Sequence, residues 1–401
     1  MNMRTDPASR PVRLAVTNGR LVLPDRIAEG LALVVEDDRI AGIASAGDVG
    51  SDTELIDLGG RLVTPGLVDI HTHGIFNGDT MDATPEALHR ITRLHAQHGT
   101  TSLLPTTLSR GHDEVLRALN NICVCRELPP DGARILGAHL EGNYFSPKMA
   151  GAQNPAYLYP PDEQDYMEYV KTGCVVRVAA APELPGALKM AEQLVPLGIQ
   201  LSIGHSNGTP EDVRNAIAVG YSSLTHIFNA QSALNSVFVY PEAGVCESAL
   251  LHDELRVECI CDGNHLSPTL LKLIYKIKGA DGMIGITDAV YAGAADGDYV
   301  MGGLDVEVKN NICILKNQSA FAGSIATMDL CVRTLHLKAG IPIQDAVYIC
   351  SYTPAKVIGR QNSIGMLPPG FDADINVFDS EINILYTMVQ GKTFQNKLAN
   401  A

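Results

Sequence analysis

Apolar runs of strand length alternate with amphipathic stretches through the middle of the chain. Eight such runs occur there: LVDIHTHG, TTSLLPTTLS, ARILGAHLEG, CVVRVAAAPE, IQLSIGHSN, SSLTHIFNA, RVECICDG and GMIGITDA. Stretches with helical spacing lie among them, such as TPEALHRITRLHAQHG, TPEDVRNAIAVG and SPTLLKLIYKIKG. The first two open with Thr-Pro, which is typical of a helix start. The strand ends recur about every 20–40 residues, as repeated βα units require. This pattern predicts a (β/α)8 barrel of the TIM type.

The two ends of the chain alternate apolar and polar residues between Gly and Pro turns, which predicts short strands. VRLAVTNGRLVL, near the N-terminus, has an Asn-Gly step between two strand-like runs and predicts a β-hairpin. SIGMLPPGFDADINVFDSEINILYTMVQGKTF has the same character near the other end. We therefore expect an α/β fold. Residues 65–359 would form the barrel, and residues 12–64 plus 360–397 would form a small β-sandwich domain.

Composition excludes several classes of function. The chain has 401 residues, of which 46% are hydrophobic and 19% charged, enough for a large packed core. A formal net charge of −15 argues against binding to nucleic acid or to an anionic membrane surface. The N-terminal stretch MNMRTDPASRP lacks the apolar core of a secretory signal. Apolar runs also stay short of the roughly 18 residues that suggest a spanning helix.

The cysteines fit a reducing compartment. There are nine of them, scattered inside apolar segments and without a Cys-x-x-Cys pair. Cys259 and Cys261 share one strand face, and we interpret them as buried thiols of the core rather than as soft metal ligands. We therefore expect no structural zinc site. We expect the protein to be located in the cytoplasm.

Metal-competent side chains stand at the ends of the apolar runs, where a (β/α)8 barrel places its chemistry. The first run ends in His71 and His73, which share one face because residues i and i+2 of a strand do so. The other such residues, in chain order, are Glu141, His205, His226 and Asp288. A single one would more often be a capping or supporting group. Six around one barrel mouth predict a metal site, because isolated charges there would be poorly solvated.

Imidazoles and carboxylates together suit Zn²⁺ or Fe²⁺. Such an ion polarises a carbonyl oxygen and lowers the pKa of bound water toward about 7. Asp288 could accept the proton of that water and pass it to a leaving amine. This set of groups predicts hydrolysis of an amide or a related bond. The sequence contains no nucleophile elbow, Walker A loop or dinucleotide fingerprint.

The pattern Pro-Gly-x-x-Asp-x-His-x-His at residues 65–73 resembles the amidohydrolase superfamily. Further motifs resemble one branch of it, the N-acetylglucosamine-6-phosphate deacetylase family. They are, in order, GAHLEGNYFSPKMAGAQNP, IGHSN, THIFNA, CDGNH, GITDAVYAGAADGDY and FAGS. The resemblance implies metal-dependent removal of the N-acetyl group from N-acetyl-D-glucosamine 6-phosphate, which gives D-glucosamine 6-phosphate and acetate.

The resemblance also implies roles for single residues. Glu141, His205 and His226 would hold the principal metal ion. Many family members lack the two strand-one histidines, so their presence here implies a second ion, held by His71, His73 and Glu141 with Asp288 nearby. Asp288 would be the catalytic acid and base, and His265 would orient the acetamido carbonyl or neighbouring sugar oxygens. The implied substrate contacts are Ala152, Gln153, Asn229, Ala230, Phe321, Ala322 and Gly323; Gln153 stands where some relatives have His.

The remaining histidines are given lesser roles. His139 faces inward with Glu141, and we expect it to support the ligands rather than to bind metal. His95, His98 and His112 fall on predicted helices or loops and are interpreted as surface residues.

The phosphate contact departs from the family pattern. Members usually carry an Arg just before Glu-Pro-Gly, and it grips the sugar phosphate, often across a dimer interface. Here the stretch is VYPEAG, with Pro241 in front of Glu242. Lys148 is the candidate replacement, and a homodimer is the implied assembly. Three alternatives stay open: the galacto epimer as substrate, an unphosphorylated 2-acetamido sugar, and a catalytically dead barrel that serves as a scaffold. The last is the weakest, because every expected ligand and Asp288 are present.

Overall fold

The structure is a computed structural model, and it describes residues 13–50, 52–237, 239–292 and 295–400. The stretch MNMRTDPASRP and residue 12, the expected start of the small domain, lie outside these ranges.

Each of the eight apolar runs contains all or most of one strand of a single parallel barrel, as predicted. Barrel strands 1 to 8 are Leu67–Thr72, Thr100–Pro105, Ala138–Glu141, Val175–Ala180, Gln200–Ile203, Tyr221–Leu224, Arg256–Ile260 and Met283–Ile286. Strands 3 to 8 form one sheet, and strands 1 and 2 form another with the short strand Arg134–Ile135. Parallel bridges join Thr106 to His139 and Thr72 to Ala289, which closes the ring between strands 2 and 3 and between strands 8 and 1.

Helices follow the strands around the outside of the barrel. They are Pro85–Gln97, His112–Arg126, Glu163–Lys171, Ala187–Leu194, Pro210–Ala218, Val245–Leu251, Pro268–Gly282, Met328–Arg333, Ile343–Cys350 and Tyr352–Val357. The Thr-Pro starts are confirmed: Thr84 Oγ1 accepts from the Ala87 amide and Thr209 Oγ1 from the Asp212 amide, both at 3.3 Å. Among the described residues, no helix combines the length and the apolar character that crossing a membrane requires.

The two ends of the chain meet in a pair of sheets. One has the order Arg39–Ser45, Leu31–Glu36, Arg13–Thr17, Glu54–Asp57. The other has the order Lys392–Asn396, Ile384–Val389, Ile375–Phe378, Leu62–Pro65, Arg20–Val22, Ile27–Ala28. Val16 and Leu33 of the first sheet share an apolar core with Val63 and Ile375 of the second, so the sheets pack as a small sandwich. The residue boundaries of the two domains stay a prediction.

The hairpin predicted at the Asn-Gly step is wrong. The strands on either side of it lie in different sheets, and each pairs in parallel with part of the segment 54–65. Asn18 adopts a φ of 52°, and the chain crosses there from one sheet to the other. A Cβ on Gly19 would lie 2.6 Å from Val63 Cγ2, so the glycine is required by close packing. Asn18 and Gly19, which are typical of a tight hairpin, here connect a strand of one sheet to a strand of the other.

The chain also forms smaller sheets outside the barrel and the sandwich. Three antiparallel strands, Gly297–Met301, Leu304–Lys309 and Ile312–Leu315, follow barrel strand 8 and were not predicted. Their core includes Leu108 and Val290, so they pack beside the C-terminal ends of the barrel strands. The signal was present, since DYVMGGLDVEVKNNICIL alternates apolar and polar residues around Gly-Gly and Asn-Asn turns. Short hairpins are also formed by Gly74–Ile75 with Gly78–Asp79 and by Asn235–Val237 with Tyr240–Glu242.

The cysteines are free thiols, and Cys259 and Cys261 are fully buried in and just after barrel strand 7, as predicted.

Candidate active site

The strand ends of the barrel aim the predicted site residues into its mouth. Glu141 is the last residue of strand 3, and His205, His226 and Asp288 each lie two residues beyond the end of strand 5, 6 or 8. These three have positive φ values of 45°, 23° and 48°, so the chain turns sharply as it leaves each strand. Such backbone is uncommon outside glycine, and it is found preferentially at functional sites.

Glu141 is the centre of the cluster. Its Oε1 lies 3.5 Å from His71 Nε2, 3.5 Å from His205 Nε2 and 3.2 Å from His226 Nε2. Its Oε2 lies 3.3 Å from His73 Nε2. Two groups of three, one with the strand-one histidines and one with His205 and His226, each bring their ligand atoms within 4.8 Å of one another. The carboxylate of Glu141 is therefore shared by both groups.

Asp288 faces the strand-one histidines from the neighbouring strand 8. Its Oδ1 lies 3.5 Å from His71 Nε2 and 3.3 Å from His73 Nε2. Its backbone N–H donates to the carbonyl of His71 at 2.9 Å, which fixes the two strand ends together. Burial alone would raise the pKa of Asp288, but the charge of His71 and the hydrogen bond from His73 hold it below its ordinary value. Asp288 is therefore held in its ionised form.

The donor set fits a divalent cation. Imidazole nitrogens and carboxylate oxygens are the ligands that zinc and iron share. Burial alone would lower the pKa of His73, yet hydrogen bonds to Asp288 and Glu141 raise it to about 9, which shows how strongly negative this pocket is. The Nε2 of His71 is buried and makes no hydrogen bond to any described residue. A cation would supply the missing partner of that nitrogen and balance the two carboxylates.

A buried ion pair behind the histidines was missed by the sequence reasoning. Glu258 Oε2 accepts from His71 Nδ1 at 3.0 Å and from the His226 amide at 3.2 Å. Its Oε1 contacts Arg177 Nη1, and Arg177 Nη2 donates to Ser223 Oγ at 3.1 Å. Both charged side chains are fully buried. The sequence did carry a signal for this pair, because Arg177 lies inside the apolar run CVVRVAAAPE and Glu258 lies inside the apolar run RVECICDG.

His139 packs against the site without a polar partner. Its ring meets that of His71 edge-on, with centroids 4.8 Å apart. Neither ring nitrogen has a hydrogen-bond partner in the described part of the chain. Burial holds the pKa of His139 well below its ordinary value, so the ring is neutral. The contact supports the predicted supporting role, which stays a prediction.

The surface location predicted for His95 is wrong. The residue is fully buried, its Nε2 lies 3.0 Å from Thr72 Oγ1, and burial lowers its pKa to about 3. On the helix Pro85–Gln97 it continues the inward stripe of Leu88 and Ile91, and this spacing was the available signal.

His98 and His112 are partly exposed and belong to the outer face, as predicted. They pair with Asp329 at 3.2 Å and with Glu168 at 3.1 Å.

A cavity of about 240 Å³ opens beside the cluster. It is lined by His73, Glu141, His205, His226 and Asp288 and by the predicted contacts Ala152, Gln153, Asn229, Ala230, His265, Phe321 and Gly323. Ala322 is buried behind its neighbours, and Lys148 is exposed on the turn Pro147–Met149, outside the lining. Ligand pockets usually measure about 300–1,000 Å³, so this cavity suits one small molecule.

His265 borders the cavity in an orientation fixed by Asp262. Its Nδ1 lies 2.8 Å from Asp262 Oδ2, and the other oxygen of Asp262 accepts from the Asn264 and His265 amides at 2.8 and 2.9 Å. A carboxylate accepts hydrogen bonds and donates none, so Nδ1 carries a proton in this contact. The ring packs against Phe321, with centroids 4.2 Å apart and the ring planes inclined by 36°. Asp262 was not identified from the sequence, although it stands within the CDGNH motif.

Gln153 holds Glu141 in place. Its Nε2 donates to Glu141 Oε2 at 2.9 Å, and its Oε1 accepts from the Ser109 amide at 2.8 Å. Both ends of this amide are therefore used within the protein, although the side chain also borders the cavity.

A larger groove, of about 1020 Å³, lies on the outer face between the helix Pro85–Gln97 and the segment 125–136. Two of its arginines are in ion pairs, Arg93 with Asp131 at 2.6 Å and Arg134 with Asp372 and Asp374. Within the described residues the candidate metal groups lie only in the barrel mouth. The barrel mouth is therefore the candidate active site because of its chemistry, although the outer groove is larger.

A barrel with metal-competent residues at its mouth is typical of metal-dependent hydrolases, and comparison with known proteins identifies the family. A family model described as Amidohydrolase family matches residues 62–394, and the chain belongs to this family. The chain is 33% identical to the N-acetylglucosamine-6-phosphate deacetylase of Vibrio furnissii over 368 residues, which cover 91% of this chain and 90% of that protein.

Two further comparisons extend this result. The N-acetylgalactosamine-6-phosphate deacetylase of Escherichia coli O157:H7 is 30% identical over 335 residues, which cover 83% of this chain and 87% of that protein. The crystal structure of the N-acetylglucosamine-6-phosphate deacetylase from Pasteurella multocida superposes with a TM-score of 0.90 at 28% identity, covering 96% of this chain and 100% of that chain. The family predicted from the motifs is confirmed.

Proposed function

We propose that this chain is a metal-dependent deacetylase that converts N-acetyl-D-glucosamine 6-phosphate to D-glucosamine 6-phosphate and acetate. The observation that carries the proposal is the sharing of Glu141 between two ligand groups, with Asp288 3.3 Å from His73 at the same cavity. Relatives with this activity match the chain over most of its length. The dead-scaffold alternative is disfavoured, because the residues needed for chemistry converge in one place.

The two groups of metal-competent residues support a proposed set of metal ligands. Glu141, His205 and His226 would hold the principal ion, and His71, His73 and Glu141 would hold a second one. A divalent cation bound here polarises the acetyl carbonyl and makes water more acidic. Zinc and iron are the proposed metals, because the ligands are imidazoles and carboxylates.

Asp288 moves the proton in the proposed reaction. Its carboxylate takes a proton from the attacking water as the new C–O bond forms at the acetyl carbon. It then gives that proton to the sugar nitrogen as the C–N bond breaks, so that the amine and acetic acid form, and the acid passes its remaining proton to the more basic amine and leaves as acetate. His265, held by Asp262, would orient the acetamido carbonyl or a neighbouring sugar oxygen, and Phe321, packed against that imidazole, offers an apolar wall for the sugar.

The double substitution His71→Ala/His73→Ala tests the second ion. We expect the variant to lose one of two bound ions, because Glu141, His205 and His226 still form a complete group of three. Metal content per chain after dialysis is the measurement. His98→Ala/His112→Ala, which removes two outer histidines, is the matched control and should retain both ions. An unchanged metal count in the His71/His73 variant would contradict the proposal of two bound ions.

Recognition of the phosphate can be tested through substrate preference. A charge-assisted contact contributes about 1.5–3 kcal/mol, so a retained phosphate site should favour the phosphorylated sugar by at least about tenfold in kcat/KM. If Lys148 makes that contact, Lys148→Ala raises KM for the 6-phosphate and leaves the unphosphorylated sugar unaffected. Lys189→Ala, at an exposed lysine paired with Glu163, is the control.

The cavity lining makes recognition of a phosphate the open question. Lysine and arginine are absent from the described lining of the cavity, and Lys148 lies outside it. A preference below about tenfold would therefore move the assignment to an unphosphorylated 2-acetamido sugar. The galacto epimer belongs in the same assay, because a relative at 30% identity is an N-acetylgalactosamine-6-phosphate deacetylase. The homodimer and the cytoplasmic location stay predictions from the sequence.

A further inference from the structure

His71 can offer a lone pair from only one ring nitrogen while it is neutral. Its Nε2 lies 3.5 Å from Glu141 Oε1, and its Nδ1 lies 3.0 Å from Glu258 Oε2. All three side chains are buried, so water does not compete for these contacts. Because a carboxylate accepts hydrogen bonds and donates none, Glu258 places the imidazole proton on Nδ1 and leaves the lone pair on Nε2.

The two oxygens of Glu258 have separate partners. Oε1 contacts Arg177 Nη1, and the guanidinium is anchored in turn by Ser223 Oγ at 3.1 Å. Oε2 faces His71 and also accepts from the amide of His226 at 3.2 Å. Arg177 therefore determines which oxygen is left for the histidine.

The other ligand group is oriented differently. His205 Nδ1 lies 2.8 Å from the carbonyl oxygen of Met149, and His226 Nδ1 lies 3.1 Å from that of Asn229. Main-chain carbonyls thus fix the rings of that group, and the side chain of Glu258 fixes only the ring of His71.

We propose that Glu258 is a positioning residue that sets the affinity of the ion position formed by His71, His73 and Glu141, and that Arg177 fixes its orientation. The inference rests on the proposed metal centre and does not depend on the identity of the sugar. Glu258 on strand 7 and Arg177 on strand 4 would thus control one of the two ion positions without binding the ion or the substrate themselves.

Two matched double variants isolate the hydrogen bond to His71. Arg177→Met/Glu258→Gln and Arg177→Met/Glu258→Leu both replace the ion pair with neutral side chains of similar volume, which buried sites tolerate. They differ in one respect: the Gln carbonyl oxygen can accept from His71 Nδ1, and Leu cannot. Zn²⁺ content after dialysis and Zn²⁺ affinity by chelator competition are the measurements.

We expect two Zn²⁺ ions per chain in the wild type and in the Gln double variant. The Leu double variant should keep one ion and bind the second about 10–100-fold more weakly, the usual cost of losing a group that orients a metal ligand. Equal affinity for the second ion in the two double variants overturns the proposal, as does loss of both ions from a folded Leu variant. A wild type that binds no ion contradicts the proposed metal centre instead, so the two failures are distinguishable.

A second, independent test asks whether Arg177→Met restores the ion that the single variant Glu258→Gln loses. In the single variant Glu258→Gln, the amide oxygen turns toward Arg177, because the charge-assisted bond is the stronger one. Its NH₂ group then faces His71 and shifts the imidazole proton to Nε2, so the second ion is lost. Adding Arg177→Met frees the oxygen and should restore that ion, which a merely structural role of Glu258 would not produce. If the Leu variant does not fold, this pair decides the question, and absence of rescue overturns the proposal.

Discussion

Asp288→Asn is expected to lower turnover by about 10²–10⁴-fold, the usual contribution of a general acid–base group. Asn keeps the shape and an oxygen that can accept hydrogen bonds, but it cannot take up a proton. The side chain is buried beside His71 and His73, and its φ of 48° is retained by Asn, which tolerates this region of backbone space. The protein should therefore stay folded.

Steady-state acetate release is the measurement for this variant, with metal content determined on the same sample. The metal count separates loss of the proton carrier from loss of an ion. Asp281→Asn, at an exposed carboxylate that pairs with Lys356 at 2.7 Å, is the matched control and should turn over normally. Near-normal turnover of Asp288→Asn with full metal content would remove Asp288 from the mechanism.

Arg177→Met is expected to lower the free energy of unfolding by about 3–5 kcal/mol, because it leaves a buried charge without its partner. Glu258 is fully buried, and burial alone would raise the pKa of its carboxyl. Arg177 and His71 hold that pKa below its ordinary value, so the carboxylate depends on the guanidinium to remain charged in the core. Removing the arginine alone therefore costs more than removing both charges.

The urea midpoint, measured with a chelator present, reports this loss without the contribution of bound metal. The double variant Arg177→Met/Glu258→Gln should recover most of the stability that Arg177→Met loses, since no unpaired charge is left. Lys189→Met, which breaks the exposed pair with Glu163, should change little and serves as the control. An Arg177→Met midpoint equal to that of the wild type would contradict the assignment of a core ion pair.

The barrel and the convergence of the metal-competent residues at its mouth could be predicted because both depend on local pattern. Apolar runs mark buried parallel strands, and a polar residue at the end of such a run points into the mouth wherever the strand sits in the ring. His205 and His226 illustrate this, since each lies two residues past its strand. His95 was within reach of the same reasoning, because its spacing from Leu88 and Ile91 is helical.

Other features depend on which elements meet in space, and local pattern does not give that. The charges of Arg177 and Glu258 were visible, but their pairing depends on strands 4 and 7 facing each other across the barrel. Lys148 is close to Glu141 in sequence, yet the turn at Pro147–Met149 places it outside the cavity. The Asn-Gly step was misinterpreted because a crossover between two sheets uses the same residues as a hairpin.

Acetate release from N-acetyl-D-glucosamine 6-phosphate by the zinc- or iron-loaded chain tests the central claim most directly. The account predicts one acetate for each D-glucosamine 6-phosphate formed, loss of the activity when a chelator strips the metal, and its return when metal is added back. The unphosphorylated sugar and the galacto epimer in the same assay define the substrate. Absence of acetate from all three sugars, with the protein folded and its metal content complete, would contradict the account.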